Sequence, residues 1–303
     1  MAEDRWFKGN LHAHSTESDG DSSPGKVVEW YRDNGYDWLA LTDHNVRTVL
    51  SPEDTPEQSP LVLTGEEVTV HMPDSDKVVV VQAIDISKVV DPINAGDVFS
   101  TVQANVDAIV AAGGLPCLMV LYDQPNFRPE SIQEISGTRL LEIYNVKGTM
   151  EVYGDPSDPS HENIWDLMLS SGKVVYGVAV DDAHHFNEFG PENVNPGGAW
   201  VMLRAQELSK TNIISSLSLG DFYSSTGVML ETLDTPSNGI VLEISPVPGE
   251  SYRTVFVGKG GKELKQQSGT QPEYHFSGGE GYVRAVISSS NGAQAWIQPV
   301  FEI

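Results

Sequence analysis

Two histidines near the N-terminus, His12 and His14, are separated by a single residue and follow a short run that reads as a strand, residues 5–7. Side chains alternate along a strand, so a His-x-His pair at its end points both imidazoles to the same side. Imidazole is a ligand for Zn, Mn or Fe, and Asp19 adds a carboxylate that could bridge to a second ion. The segment predicts a metal site.

Three further apolar runs are followed by side chains of the same kinds. Residues 38–41 precede Asp43 and His44, residues 61–63 precede Glu67, and residues 174–180 precede Asp182 and His184. Any one pair could be a surface or hydrogen-bonded group. All of them together are typical of a parallel α/β barrel, in which the chemistry gathers at the C-terminal ends of the strands.

Six segments resemble motifs of the PHP (polymerase and histidinol phosphatase) superfamily, and most closely its CehA/McbA-like metallohydrolase branch. They are Asn10-Leu11-His12-Ala13-His14-Ser15 with Asp19-Gly20, Leu41-Thr42-Asp43-His44-Asn45, Gly65-Glu66-Glu67-Val68-Thr69, Leu141-Glu142-Ile143-Tyr144-Asn145, Asp181-Asp182-Ala183-His184, and Phe222-Tyr223-Ser224-Ser225-Thr226-Gly227. The resemblance covers residues 6–230. It implies an α/β fold, a distorted (β/α)7 barrel, with up to three metals and usually phosphate ester hydrolysis.

The resemblance also implies two ligand sets. His12, His14, Glu67 and Asp182 would form one metal position, and Asp19, His44 and His184 would form another. Asp43 would orient a ligand imidazole, although a role in capping the strand end is an open alternative. His185 would donate a proton to the leaving group, unless it is simply a surface histidine.

The chain departs from the family at two histidines that serve the same metal. Residues 79–83 contain no histidine, and the loop after Gly113-Gly114-Leu115-Pro116 has Gln124-Pro125 in place of a His-Pro pair. We therefore expect one or two divalent ions (Zn, Mn or Fe) and not three. Three residues of the altered loop are candidate catalytic groups, namely Tyr122, Gln124 and Arg128. Arg128 could grip a phosphate or form a surface ion pair.

Composition narrows the possible partners. The chain has 303 residues and a net charge of −25, which disfavours binding to nucleic acid or to an anionic membrane. It has no apolar run long enough to span a bilayer and no visible signal peptide, so we expect a cytoplasmic location. Cys117, the single cysteine, excludes an internal disulfide. A small, anionic substrate is the expected partner, and the oligomeric state stays open.

The periodic pattern predicts helices at residues 25–34, 98–112, 162–171 and 211–219, between the apolar runs. From residue 236 the pattern changes to short alternating runs separated by glycine and asparagine turns. We therefore predict two domains. Residues 1–235 would form the metal-binding barrel, and residues 236–303 a small all-β module, sandwich-like, that packs on the barrel.

The leading interpretation is a metal-dependent hydrolase of a small ester, most simply a phosphoesterase, in which a metal-bound hydroxide attacks the substrate. The alternative is a metal-binding PHP-fold protein that no longer turns over, or that performs lyase or iron- and oxygen-dependent chemistry. The two absent histidines favour this alternative. The retention of both implied ligand sets argues against it.

Overall fold

The computed structural model describes residues 4–73, 78–119, 129–147 and 159–302. These ranges form a mixed α/β fold. The helices are Pro24–Asp33 (α1), Val98–Ala111 (α2), His161–Ser170 (α3) and Lys210–Leu219 (α4), and 3-10 turns span Pro129–Glu134 and Lys259–Gly261. All four helices lie where the sequence predicts them, within a residue or so at each end.

The strands fall into two groups along the chain. The first contains Arg5–Asn10 (β1), Trp38–Leu41 (β2), Leu61–His71 (β3), Val78–Ile84 (β4), Leu115–Leu118 (β5), Leu140–Asn145 (β6), Tyr176–Val180 (β7), Trp200–Ala205 (β8) and Phe222–Ser225 (β9). The second contains Leu230–Asp234 (β10), Gly239–Ile244 (β11), Tyr252–Gly258 (β12), Lys262–Ser268 (β13), Glu273–His275 (β14), Tyr282–Ser289 (β15) and Gln294–Phe301 (β16).

A single sheet contains thirteen of these strands, in the order β13-β12-β15-β16-β9-β8-β1-β2-β3-β4-β5-β6-β7. β1 to β3 pair in parallel, as do β5 to β7, whereas β4 is antiparallel to both of its neighbours. The sheet curves enough that Ala13, after β1, forms an isolated bridge with Ala183, after β7. The mixed α/β class is confirmed, and the closed barrel stays a prediction.

The strand that carries Glu67 differs from the prediction. The sequence predicts a strand at residues 61–63 and a separate β excursion at residues 68–71 and 77–86, but residues 61–71 form one continuous strand, β3, which carries Glu67. Its first residues pair in parallel with β2, and from Gly65 onward it pairs antiparallel with β4. Because this long hairpin supplies new backbone partners beyond Gly65, the strand does not need to end there.

Local sequence explains where the helices begin and what they bury. α1 starts with a proline after Ser23 and buries Val27, Val28 and Tyr31, which lie on one face at helical spacing. α3 begins with a capping box in which the side chains of Ser160 and Asn163 bind each other's backbone N–H. Within the described ranges, no helix is both long and apolar enough to cross a bilayer.

The C-terminal strands form two layers around a shared core. β10, β11 and β14 make a separate three-stranded sheet, and β12, β13, β15 and β16 extend the large sheet through the pairing of β16 with β9. Apolar side chains such as Ile240, Phe256 and Ile287 are buried together between them. The predicted boundary after residue 235 falls between β10 and β11, which pair with each other.

A buried arginine joins these strands to helix α3. The Arg284 side chain, on β15, is only 2% exposed. Its Nε and Nη2 each lie 2.7 Å from a carboxylate oxygen of Asp166, and its Nη1 lies 2.9 Å from Glu162. The Tyr282 hydroxyl donates to the same Asp166 carboxylate. This network links the C-terminal strands to the first part of the chain.

Candidate metal centre

The predicted ligands converge where the carboxyl ends of β1, β2 and β7 meet the middle of β3. His12 and His14 follow β1, His44 follows β2, Glu67 lies within β3, and Asp182 and His184 follow β7. Backbone contacts hold these segments in register, because His14 N–H donates to the Ala183 carbonyl and His44 forms an isolated bridge with Glu67. The structure brings all seven predicted ligand residues, including Asp19, into one region.

We call His12, His14, Glu67 and Asp182 the inner cluster, and all four are buried. The Nε2 atoms of the two histidines are 3.0 Å apart, and each lies 3.2 Å from Asp182 Oδ1. The Glu67 carboxylate oxygens lie 3.7 Å from His12 Nε2 and 3.4 Å from His14 Nε2. Four ligand-type side chains thus point at one small volume.

We call Asp19, His44 and His184 the outer cluster. Asp19 Oδ2 lies 3.6 Å from His44 Nε2 and 3.4 Å from His184 Nε2. The side chain of Asp19 is 52% exposed, so this cluster opens to solvent. His14 touches both clusters, since its ring stacks on His184 and its Nδ1 lies 3.5 Å from Asp19 Oδ1. The two clusters are therefore adjacent rather than separate sites.

The donor atoms of the inner cluster fit a divalent ion. Asp182 Oδ1 is buried and has no hydrogen-bond partner among the described residues, although two ring nitrogens lie 3.2 Å away. Ligand atoms bound to one tetrahedral ion at about 2.1 Å are about 3.4 Å apart, which is close to these separations.

Hydrogen bonds fix the orientation of two of the imidazoles, those of His12 and His184, through the Nδ1 atom of each ring. Glu142 Oε1 lies 2.9 Å from His12 Nδ1, and the Asp182 carbonyl lies 2.6 Å from His184 Nδ1.

The electrostatics of the inner cluster favour positive charge. Burial alone would lower the pKa of His12, but the carboxylates of Asp182, Glu142 and Glu67 outweigh it and raise the pKa well above its usual value. Burial would raise the pKa of Asp182, but His12 opposes it and lowers the pKa to about 2. Burial lowers the pKa of His184 to about 4, with a further contribution from His14. The carboxylates that attract a proton to His12 would attract a metal cation in its place, and Asp182 is ionised and His184 in the outer cluster is neutral, which are the forms that bind metals.

Glu142 lies in the family-like motif at residues 141–145, and the sequence predicts no role for it. It is buried on β6, and besides His12 its carboxylate accepts a hydrogen bond from Asn145 Nδ2. The same amide lies 3.2 Å from Asp182 Oδ2. Glu142 and Asn145 therefore orient two inner-cluster residues. A glutamate within the apolar run of residues 140–144 was the available signal.

Gln82 is a second residue without a predicted role. It is buried on β4, and its Nε2 lies 2.8 Å from His12 Nε2, while no described residue forms a hydrogen bond with its Oε1. It lies within the stretch where the family pattern has a histidine. A neutral amide on β4 thus faces the inner cluster, on the strand where the family pattern would have a histidine.

Asp43 lies one residue away from direct contact with the ligand imidazoles. Its buried carboxylate contacts no imidazole among the described residues, and it accepts hydrogen bonds from the Ser15 N–H, the Ser15 hydroxyl and the Ser18 hydroxyl. Ser18 Oγ in turn lies 3.4 Å from His14 Nδ1. Asp43 therefore fixes the loop between His14 and Asp19 and reaches a ligand imidazole only through Ser18.

The remaining catalytic candidates lie at the margin of the site or outside the described residues. His185 follows His184, and its Nδ1 accepts a hydrogen bond from the Val194 N–H. Its ring centre is 6.5 Å from that of His184. Tyr122, Gln124 and Arg128 lie outside the described residues.

Comparisons with known proteins identify the fold. No protein-family model and no curated protein matches the chain. Among solved structures it is similar to a two-domain protein from Bacteroides vulgatus that contains a predicted PHP-like metal-dependent phosphoesterase, with 15% identity, a TM-score of 0.52, and coverage of 94% of this chain and 90% of that chain.

Two further solved structures are similar over shorter parts of the chain. An amidohydrolase from Chromobacterium violaceum shows 14% identity and a TM-score of 0.43, covering 61% of this chain and 93% of that chain. A candidate metal-dependent phosphoesterase from Bifidobacterium adolescentis shows 17% identity and a TM-score of 0.42, covering 69% and 95%. At 15% identity the likeness to the Bacteroides vulgatus protein shows the fold alone, and it extends over 94% of this chain.

Proposed function

We propose that the chain is a metal-dependent hydrolase of a small, anionic ester, with a phosphoester as the favoured substrate. The observation that carries this proposal is the inner cluster, where Asp182 Oδ1 and the Nε2 atoms of His12 and His14 lie within 3.2 Å of one another. Holding a buried carboxylate oxygen and two ring nitrogens this close together costs free energy unless a cation lies among them.

The inner cluster would hold one divalent ion, and the outer cluster would hold a second. A divalent ion bound there would lower the pKa of water toward neutrality and stabilise negative charge on a phosphoryl or acyl oxygen. The identity of the metal, whether Zn, Mn or Fe, is left to experiment, since imidazole and carboxylate donors suit all three.

The chain's own side chains would position these groups and the substrate. Glu142 and the Asp182 carbonyl set the orientation of His12 and His184, and Asp43 fixes the loop that carries Asp19. His185 accepts a backbone N–H at Nδ1, so its Nε2 carries the proton. His185 could therefore donate that proton to the leaving group.

We also propose that the first seven strands form the distorted (β/α)7 barrel of the CehA/McbA-like branch, followed by a distinct C-terminal module. The bridge between Ala13 and Ala183 supports the barrel, because it joins the ends of β1 and β7. The shared core of β10, β11, β12 and β15 supports the module.

One observation favours a second candidate function. Gln82 Nε2 lies against the same His12 nitrogen that would bind the inner ion, where the family pattern has a histidine. A site altered in this way could bind metal without turnover, or could perform lyase or iron- and oxygen-dependent chemistry. The loop that the sequence predicts at residues 122–128 would then contribute Tyr122 or Asp123.

The test is a hydrolysis screen of the full chain, loaded with Zn, Mn or Fe in turn, against phosphate monoesters, phosphate diesters, carboxylic esters and phosphonates. We expect turnover of at least one phosphate ester, lost after chelation and restored by adding metal back. Metal binding without hydrolysis of any ester would reject the hydrolase and favour the second candidate.

A further inference from the structure

Lys147 is a cation at the candidate metal centre that neither the motif pattern nor the predicted ligand sets include. It follows strand β6, and its backbone N–H donates to the Asn145 side-chain oxygen at 2.9 Å. The Asn145 amide group binds Glu142 and Asp182 in turn. The turn that carries Lys147 is thus anchored to the inner cluster.

The ammonium group of Lys147 lies between the two clusters. Its Nζ is 3.3 Å from His184 Nε2 and 4.0 Å from Asp182 Oδ2. Within the described ranges, Lys147 is the one lysine or arginine that forms an ion pair with a carboxylate of either cluster. Its side chain is 47% exposed, so it is also reachable by a ligand from solvent.

The contacts of Lys147 are weak enough to be exchanged. His184 Nε2 is a candidate metal ligand, and a nitrogen that serves as a ligand can no longer accept a hydrogen bond from lysine. The remaining contact with Asp182, at 4.0 Å, is longer than a charge-assisted hydrogen bond. A flexible four-carbon stem lets the ammonium group turn toward another acceptor.

The charges around the site indicate that the acceptor to which Lys147 turns would be an anion. Four carboxylates contact the imidazoles of the two clusters, from Asp19, Glu67, Glu142 and Asp182. One or two divalent ions would offset most of this negative charge, and Lys147 adds a further cation at the solvent-exposed side of the site. On a chain with a net charge of −25, such a site is where an anion would be attracted.

We propose that Lys147 binds the oxyanion group of the substrate, a phosphate or a carboxylate. The proposal rests on the proposed function only in assuming that the clusters hold metal. It concerns binding, so it can be tested without turnover.

The experiment measures the affinity of the full-length, Zn-loaded chain for inorganic phosphate, and separately for acetate, by calorimetry at low ionic strength. We expect Lys147→Ala to weaken binding of the preferred anion by about tenfold or more, because a hydrogen bond to a charged group is lost. Lys147→Arg keeps the charge and should retain most of the affinity. Lys262→Ala, which removes an exposed lysine from the far edge of the large sheet, is the matched control and should bind like the wild type.

Metal content is measured in every sample, and ester hydrolysis is assayed in parallel. The anion that depends on Lys147 identifies the source of the oxyanion. Wild-type affinity in Lys147→Ala, loss of metal from it, or no binding of either anion by the wild type would each overturn the proposal. Anion binding that depends on Lys147 without hydrolysis of any ester would reject the hydrolase alone.

Discussion

His12 is the most connected side chain of the inner cluster, since its ring lies within hydrogen-bond distance of His14, Gln82 and Glu142. We predict that His12→Ala loses one ion and all metal-dependent activity while the protein stays folded. The substitution removes a ligand nitrogen but leaves the surrounding apolar clusters intact. Elemental analysis, circular dichroism and the ester assay of the purified variant measure the three expectations.

The matched control is His275→Ala, which removes an exposed histidine on β14. It should keep both the metal and the activity of the wild type. A His12→Ala protein with the full metal content and normal turnover would contradict the assignment of the inner cluster as a metal site.

His161 gives a prediction about pH. It is the first residue of α3 and is 5% exposed, and burial lowers the pKa of its imidazole to about 4. In the unfolded chain the pKa is about 6.5, so below that pH the unfolded state binds more protons and the free energy of unfolding falls. The stability that neutral His161 contributes is present above pH 6.5 and is lost as the pH falls toward 4.

Urea unfolding in the presence of a chelator measures this effect. Between pH 7 and pH 5 the wild type should lose about 2 kcal/mol more stability than His161→Gln, which has no group titrating there. His275→Gln, which replaces an exposed histidine on β14, is the matched control. Parallel pH profiles for the wild type and His161→Gln would show that burial does not perturb this imidazole.

At the residue scale, the apolar runs that end in histidine and carboxylate side chains predict where the ligand candidates lie, and the resemblance to a family implies which seven of them would bind metal. They were not sufficient for Glu142 or Gln82. These residues meet His12 across 130 and 70 positions of sequence, and only the curvature of the sheet brings them together. The contacts of Asp43 were also beyond the sequence, since its place beside His44 does not indicate that its carboxylate accepts hydrogen bonds from Ser15 and Ser18.

At the scale of elements, Arg284 provides the link between β15 and α3. We predict that Arg284→Ala lowers the free energy of unfolding by about 3–5 kcal/mol, because it leaves the buried Asp166 carboxylate without its cation. The paired replacement Arg284→Met with Asp166→Leu should cost much less, since no buried charge is then left alone. Chemical denaturation of both proteins tests the difference.

Arg253→Ala is the control for this change. Arg253 is exposed on β12 and donates to Gln266, so its loss should alter stability by less than about 0.5 kcal/mol. Equal losses for Arg284→Ala and for the paired replacement would mean that packing, and not the buried charge, makes this link stable.

The helices and the buried strands could be predicted because their apolar periodicity is local. β3 could not be delimited in the same way. Its apolar start resembles a short parallel strand, and the continuation past Gly65 depends on β4, which lies later in the chain. The sequence also did not predict four other strands. β9, β10 and β14 are too short to show a pattern. β13 is largely exposed and lacks a buried face with alternating apolar residues.

At the scale of the whole molecule, the excess of acidic residues matters for any count of bound metal. The chain carries 43 acidic and 18 basic residues, so its surface attracts cations that belong to no specific site. Such loosely held ions exchange in moderate salt, whereas ions at buried imidazole and carboxylate donors do not. Dialysis against salt before elemental analysis therefore separates the two populations.

We predict that the dialysed protein retains one or two divalent ions per chain, and not three. The inner and outer clusters each offer at least three donor side chains. A third position would depend on the strand and loop where the family pattern has histidines. The strand instead supplies Gln82, whose neutral amide is a weaker ligand for a transition metal than imidazole. Gln82→His should leave the ions of the two clusters in place and add affinity for a further ion. A count close to three in the wild type would show that other side chains rebuild the missing position.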